Sequence, residues 1–250
     1  MLREGAMIEK QVEIVTASGR MNTFICHPER GPHPVVIFFM DAPGIREELR
    51  DMARRLAAVG YYVLLPNLYY RFGVEELGAF IGEAGAAVRE RFFALMARLT
   101  IPMVMEDAGA LLAHADADPA AAAGPAACVG YCMSGQYAIN AAATYPDRVA
   151  AAASIYGTRL MTEAPDSPHL AVRRARAEFY IGCAEIDQYA PLETVAAMQE
   201  SLRDAGVKAE LEIYPGVEHG FAFPGRPAYN RAAAERHWER IFALLARTLA

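Results

Sequence analysis

The amino-acid sequence predicts a three-layer α/β/α fold built on a mostly parallel central sheet. Three observations carry that prediction. Short apolar runs have the composition of strands buried on both faces, amphipathic helical stripes lie between them, and the two alternate without an internal repeat or a long polar linker. A chain of 250 residues buries roughly 70% of the surface its unfolded form exposes, so its core needs neither disulfide nor metal. The whole of 1–250 is expected to form one domain.

The first segment, IEKQVEIVTASGRMNTFICHPE, has the pattern of two short strands joined at a Ser18-Gly19 turn. Val35 to Phe39 form a continuous apolar run, the mark of a buried parallel strand, and lead into a loop closed by Pro43 and Gly44. Leu49, Met52, Ala53, Leu56 and Ala57 then recur at helical spacing, with Gly60 where a helix stop belongs. YYVLLP is a second buried strand ended by Pro66. Strand, helix and strand across 35–65 make a βαβ unit, whose right-handed crossover sets the two strands parallel.

Residues 67–102 form a long, mostly helical insertion. Its Phe80, Phe92, Phe93 and Met96 suit either ordinary core or a cover over a substrate pocket. A helix in MVMEDAGALLAHADAD precedes the low-complexity PAAAAGP, expected to be a solvent-exposed connection. AACVGYC, VAAAASIYG and RAEFYIGCAEID supply further strands, and VKAELEIYPG alternates at Val207, Ala209, Leu211 and Ile213 up to a Pro215-Gly216 turn. Helices are expected at MSGQYAINAAATYP, LETVAAMQESLRDAG and YNRAAAERHWERIFALLARTL.

The formal charge of -6, from 24 basic and 30 acidic residues, argues against nucleic acid or an anionic membrane as partner. The one dense basic run, around Arg173, Arg174 and Arg176, suits a solvated flank. Four scattered cysteines make no disulfide scaffold. No signal stretch or run of ~18 apolar residues occurs, so a cytoplasmic protein is expected. The histidines and carboxylates lack metal-site spacing, and no phosphate-binding glycine loop is present, so neither a metal nor a cofactor is expected.

In an open α/β sheet, ligands bind beyond the C-terminal ends of the strands. Three reactive side chains stand at such ends. In VGYCMSG, Cys132 follows a strand, has Gly130 two residues before it, and opens a helix. This is the arrangement of a nucleophile elbow, and the helix N-terminus favours a thiolate there. The alternative is a buried cysteine acting as a small apolar residue, as expected for Cys26 and Cys128. Ser134 occupies the place where the usual elbow has glycine, so freedom to adopt positive φ is expected to be reduced there.

Asp187, in IGCAEIDQYAP, could hold a histidine in the productive tautomer or simply cap a turn, and Glu185 is a rival. His219, in YPGVEHGFAF, follows a strand and precedes Gly220, which makes it the candidate base. The order Cys132, Asp187, His219 is that of α/β-hydrolases. Spacings of 55 and 32 residues leave room for a strand and helix between each pair. At the end of an earlier strand, Asp41 could be a loop acid or meet the nucleophile. The amides of Ala42 and Met133 are the expected oxyanion hole.

VGYCMSG, MDAPG, PNLYYR, GCAEIDQYAP and YPGVEHGFAF, in this order across essentially the whole chain, resemble the dienelactone hydrolase family. The resemblance implies an α/β-hydrolase fold and a carboxylic-ester or lactone hydrolase without cofactor. It also implies a monomer or small homo-oligomer with Cys132 as nucleophile, Asp187 as acid partner and His219 as base. By the same resemblance Asp41 replaces a nucleophile-activating glutamate one methylene longer. Phe223 stands where the family has a substrate-clasping arginine; Arg71 is present in PNLYYR and Arg226 lies close by in sequence, but neither matches it. The substrate pocket is expected to include Tyr69, Tyr70, Arg71, Phe221 and Phe223, and to favour a small neutral or aromatic ester. Thioester or peptide hydrolysis, and a non-catalytic α/β binding protein, are the alternatives.

Overall fold

Helices flank a largely parallel central sheet of eight strands, giving three α/β/α layers, in a computed structural model that describes residues 6–82 and 85–249. The chain divides into two compact units, 1–126 and 127–250.

In the first unit, β1 (Met7–Thr16) and β2 (Gly19–Pro28) form an antiparallel hairpin closed at Thr16 and Gly19. β3 (His33–Phe39) leads to α1 (Glu47–Ala58), which buries Leu49, Met52, Ala53, Leu56 and Ala57, the stripe read from the sequence. Glu47 and Glu48 in its first turn and Arg55 in its last complement the helix dipole. Gly60, at φ 107°, takes the left-handed turn that ends it. β4 (Tyr62–Pro66) pairs parallel with β3 and antiparallel with β2, so the order here is β1-β2-β4-β3.

The 67–102 segment is less helical than its composition suggests. A single turn at Tyr70–Phe72 is followed by described residues 74–82 without a helix; α2 (Ala86–Arg98) and α3 (Ile101–Ala117) come next. Glycine at 78 and 82 makes helix costly in that stretch; residues 83–84 lie outside the described residues. Thr100 caps α3 by accepting the Met103 N–H, with Pro102 in the first turn.

β5 (Ala121–Tyr131) corrects the reading of PAAAAGP as a connection, because the strand begins inside it. Alanine carries neither β-branching nor alternation, so nothing in that run signals a strand. In the second unit the order is β5-β6-β7-β8, with β6 (Val149–Ile155), β7 (Glu178–Ile186) and β8 (Ala209–Glu218) in parallel register. β8 does not stop at Pro215-Gly216; after a register shift between Ala184 and Ile186 it continues until Glu218 stands opposite Ile186. The helices of this unit are α4 (Gly135–Thr144), α5 (Pro168–Ala171), α6 (Leu192–Ala205) and α7 (Arg231–Thr248), the last capped by the Asn230 side chain. Residues 135–143 of α4 are all buried, and six of the nine are glycine, alanine or asparagine, small enough for close packing.

Candidate active site

β5 delivers Tyr131 in extended conformation, and the next residue, Cys132, turns to φ 55°. A left-handed backbone at a residue with a β-carbon costs roughly 1–2 kcal/mol, so the surroundings must enforce it. They do so by close packing. A β-carbon at Gly130 would overlap the carbonyl of Ser134, and one at Gly135 would overlap Ser154 Oγ and lie 2.5 Å from the Gly157 α-carbon. Ser134 itself sits at φ -89°. The expected loss of conformational freedom there is immaterial, because the turn demands space at 130 and 135, not positive φ at 134.

The loop after β6 completes the clamp. Thr158 N–H donates to the Cys132 carbonyl at 3.0 Å, and Tyr156 N–H donates to the Gly182 carbonyl at 2.6 Å. Tyr156 and Arg159 also have positive φ, 36° and 55°. Strain is thus concentrated in two adjoining loops. The Cys132 side chain is partly exposed and not disulfide-bonded, whereas Cys26, Cys128 and Cys183 are buried. Burial pushes the Cys183 thiol up to about 12, as it does for Cys26, so both are unreactive there.

Strand register places the acid and the imidazole side by side. Ile186 lies opposite Glu218, and its carbonyl accepts the His219 N–H at 3.2 Å, so the residues just past the two strands are neighbours. Asp187 Oδ2 meets His219 Nδ1 at 2.7 Å, with the carboxylate side chain 1% exposed and the imidazole 12%. The other oxygen, Oδ1, accepts the Tyr189 N–H at 2.8 Å. Glu185, the rival acid, is exposed and accepts the Gly216 N–H at 2.7 Å instead.

The carboxylate bond at Nδ1 makes Nε2 the nitrogen able to exchange a proton. Nε2 is buried. Burial pulls the imidazole pKa down, but the Asp187 hydrogen bond and interaction with the Cys132 sulfur outweigh it and push the pKa up to about 9. Two rings meet the imidazole edge to face, Tyr156 at 4.9 Å and Tyr189 at 5.0 Å. Tyr156 is buried; Tyr189 is 46% exposed.

Phe221 and Phe223, expected in the pocket, are wholly buried. Phe221 packs on Tyr156 and Tyr214; Phe223 packs on Tyr131, and the Arg226 guanidinium lies 4.4 Å from its ring centre. Tyr131 is hydrogen-bonded at 2.8 Å to the buried His237. These rings form a rigid backing to the elbow and present no open face. Met133, the expected oxyanion donor, is buried in the first turn after Cys132, and its carbonyl accepts from Gln136 at 3.0 Å.

In the first unit, Asp41 is fully buried and gripped by Arg46 at 2.6 and 3.1 Å; Arg46 also holds Glu48 at 2.8 Å. Tyr69, 1% exposed, donates its hydroxyl to the Ala42 carbonyl at 2.7 Å. Arg71 binds both oxygens of buried Asp107, at 2.8 and 3.0 Å, and Tyr70 donates to the same carboxylate at 2.8 Å. These three side chains are occupied with internal packing and polar pairing. Among the described residues, no group of three His, Cys, Asp or Glu side chains could hold a metal ion, and no helix is long and apolar enough to cross a membrane.

Sequence reasoning missed Arg46, Tyr156 and Tyr189. The Tyr189 contact had a signal, since an aspartate accepting the N–H two residues on is a common turn chemistry. The positive φ of Tyr156 had none.

A strained residue between a strand and a buried helix, with a carboxylate–imidazole pair beyond two neighbouring strands of the same sheet, is the arrangement of an α/β-hydrolase. More narrowly, the chain belongs to the dienelactone hydrolase family, whose sequence profile matches residues 21–249. It is a hydrolase acting on ester-type bonds, as that membership dictates. A protein of Escherichia coli O157:H7, provisionally named a carboxymethylenebutenolidase, is 29% identical over 95% of this chain and 86% of its own length. A crystal structure provisionally named a dienelactone hydrolase, from Klebsiella pneumoniae subsp. pneumoniae, superposes with TM-score 0.84 at 26% identity, covering 96% of this chain and 99% of that one. A dienelactone hydrolase-like promiscuous phosphotriesterase from metagenomic libraries shares the fold, with TM-score 0.79 at 22% identity over 98% and 100% of the two chains.

Proposed function

We propose that this protein hydrolyses neutral carboxylic esters or lactones through a Cys132–His219–Asp187 triad and an acyl-enzyme intermediate. The observation that carries the reading is the 2.7 Å Asp187–His219 pair, with an imidazole pKa pushed up to about 9 partly by Cys132. Such a pair supplies an oriented imidazole that can exchange a proton during attack by the sulfur nucleophile.

The Cys132 thiolate attacks the carbonyl carbon, forming a C–S bond and a tetrahedral oxyanion. The Met133 amide, at the N-terminal turn after the nucleophile, is the donor assigned to that oxygen. As the C–O bond breaks, the leaving oxygen takes the proton from His219 Nε2. In the second half His219 accepts a proton from water, the water oxygen bonds to the acyl carbon, and the C–S bond breaks to release the acid. Asp187 stabilises the imidazolium throughout and holds its orientation.

Two features favour a neutral substrate over a carboxylated lactone. Phe223 stands where an arginine is expected from the family pattern, and Arg71 is already committed to Asp107. Hydrolysis of cis- and trans-dienelactone, p-nitrophenyl acetate and butyrate, and a phenyl thioester, by wild type and Cys132→Ala, tests the reading. Activity on the neutral esters confined to wild type is expected. Equal rates in both proteins would overturn the cysteine mechanism, and preference for dienelactone would overturn the substrate assignment.

A further inference from the structure

Most large apolar side chains of the second unit are buried, but three exposed ones fall within the seven residues around Asp187: Ile186 at 57%, Tyr189 at 46% and Leu192 at 45%. Tyr189 has the most telling position. Its N–H holds Asp187 Oδ1 at 2.8 Å, so its backbone is fixed to the acid, while its ring meets the His219 imidazole edge to face at 5.0 Å. The other ring against the imidazole, Tyr156, is 1% exposed and has no surface to offer a ligand. An aromatic ring left half in water beside a buried proton donor keeps apolar surface that a ligand could cover.

Chemistry says what sits there. If His219 Nε2 protonates the leaving oxygen, as in the function proposed above on which this inference rests, the alcohol portion of the substrate must lie beside the imidazole during the first half-reaction. The acyl portion stays with Cys132. We infer that Tyr189 forms an aromatic subsite for the leaving alcohol, making the protein selective for esters of aryl or arylalkyl alcohols over those of short alkyl alcohols. The buried Asp187 fixes the tyrosine backbone, so the ring is placed at little entropic cost. Its hydroxyl plays no part; the ring face does.

The test compares wild type, Tyr189→Ala and Tyr189→Phe on ethyl, benzyl and naphthylmethyl acetate, which share one acyl group and have alcohols of similar acidity. Wild type should prefer the two aromatic esters. Tyr189→Ala should lose about 2- to 12-fold of the benzyl-over-ethyl preference, mainly through KM, the range an aromatic contact supplies. Tyr189→Phe should keep that preference. An unchanged preference in Tyr189→Ala, or an equal fall in kcat for all three esters, would overturn the subsite; the second result would make Tyr189 a positioning residue for the Asp187–His219 pair.

Protection of Cys132 from iodoacetamide by benzyl alcohol, measured against ethanol, gives a readout independent of turnover. Protection by benzyl alcohol that weakens in Tyr189→Ala while no ester is hydrolysed would overturn the hydrolytic reading and keep the subsite. Equal protection by the two alcohols in wild type would overturn the subsite even if the esters are hydrolysed.

Discussion

Replacing Arg71 by alanine separates a structural arginine from a substrate-binding one. Arg71 lies in a buried cluster, its side chain 6% exposed and that of Asp107 0%. Both guanidinium–carboxylate bonds are short, and the Tyr70 hydroxyl supplies a third bond to the same carboxylate. Removing the cation leaves a buried carboxylate with one neutral donor, a change that costs about 3–5 kcal/mol. At about 2–4 °C per kcal/mol for a chain of this size, Tm should fall by about 6–20 °C. Burial already pushes the Asp107 carboxyl up, against the pull of Arg71 and Tyr70. Without Arg71 it rises further, and a raised acid binds its proton more readily in the folded state, so the defect should shrink as pH falls from 8 to 5. Adding Asp107→Asn to Arg71→Met should recover more than half of the loss, because no charge is left buried. Differential scanning calorimetry across pH, with KM for p-nitrophenyl acetate and dienelactone, provides the assay. A Tm within 2 °C of wild type with a raised KM for the carboxylated substrate would refute this reasoning and return Arg71 to the binding site.

Further outcomes follow from the elbow and the imidazole. Gly130→Ala places a β-carbon against the Ser134 carbonyl, so it should destabilise by about 1–3 kcal/mol or more and slow Cys132 alkylation, as chemical denaturation and iodoacetamide kinetics would reveal. The His219 pKa rises from 6.5 to about 9 on folding. Its stabilising contribution is therefore complete below 6.5 and lost as pH rises through 9, and the advantage of wild type over His219→Gln in urea unfolding should narrow across that window. For the same reason kcat/KM should fall above about pH 9 as the proton donor is lost. Asp187→Asn removes the chief cause raising that pKa, so it should move the limb to lower pH and reduce kcat by about 100- to 10,000-fold; an unmoved limb would exclude His219 as the titrating group.

The fold was legible wherever side-chain chemistry and backbone geometry agree. The stripe from Leu49 to Ala57 and the runs at Val35–Phe39 and 61–66 required no tertiary information. It was illegible where alanine replaced pattern, as at the start of β5, and where a register shift carried β8 past Pro215. At the candidate site, Cys132, Asp187 and His219 were readable because each follows a strand, which topology turns into proximity. Their packing was not. An Arg46–Asp41 grip five residues apart depends on a loop conformation, and the burial of Phe221 and Phe223 depends on Tyr131 and Tyr156, which are distant in sequence, as well as on Tyr214. An aromatic residue after a catalytic-type histidine has the same appearance in sequence whether it faces a pocket or the core.

The most direct test of the central claim is rapid-quench intact-mass analysis of the protein mixed with p-nitrophenyl acetate, followed by peptide mapping. Covalent chemistry at the elbow predicts a transient gain of one acetyl group on Cys132, formed with a burst of p-nitrophenolate and absent from Cys132→Ala. Hydrolysis that proceeds with no acetylated species, or with the acetyl group on another residue, would contradict it.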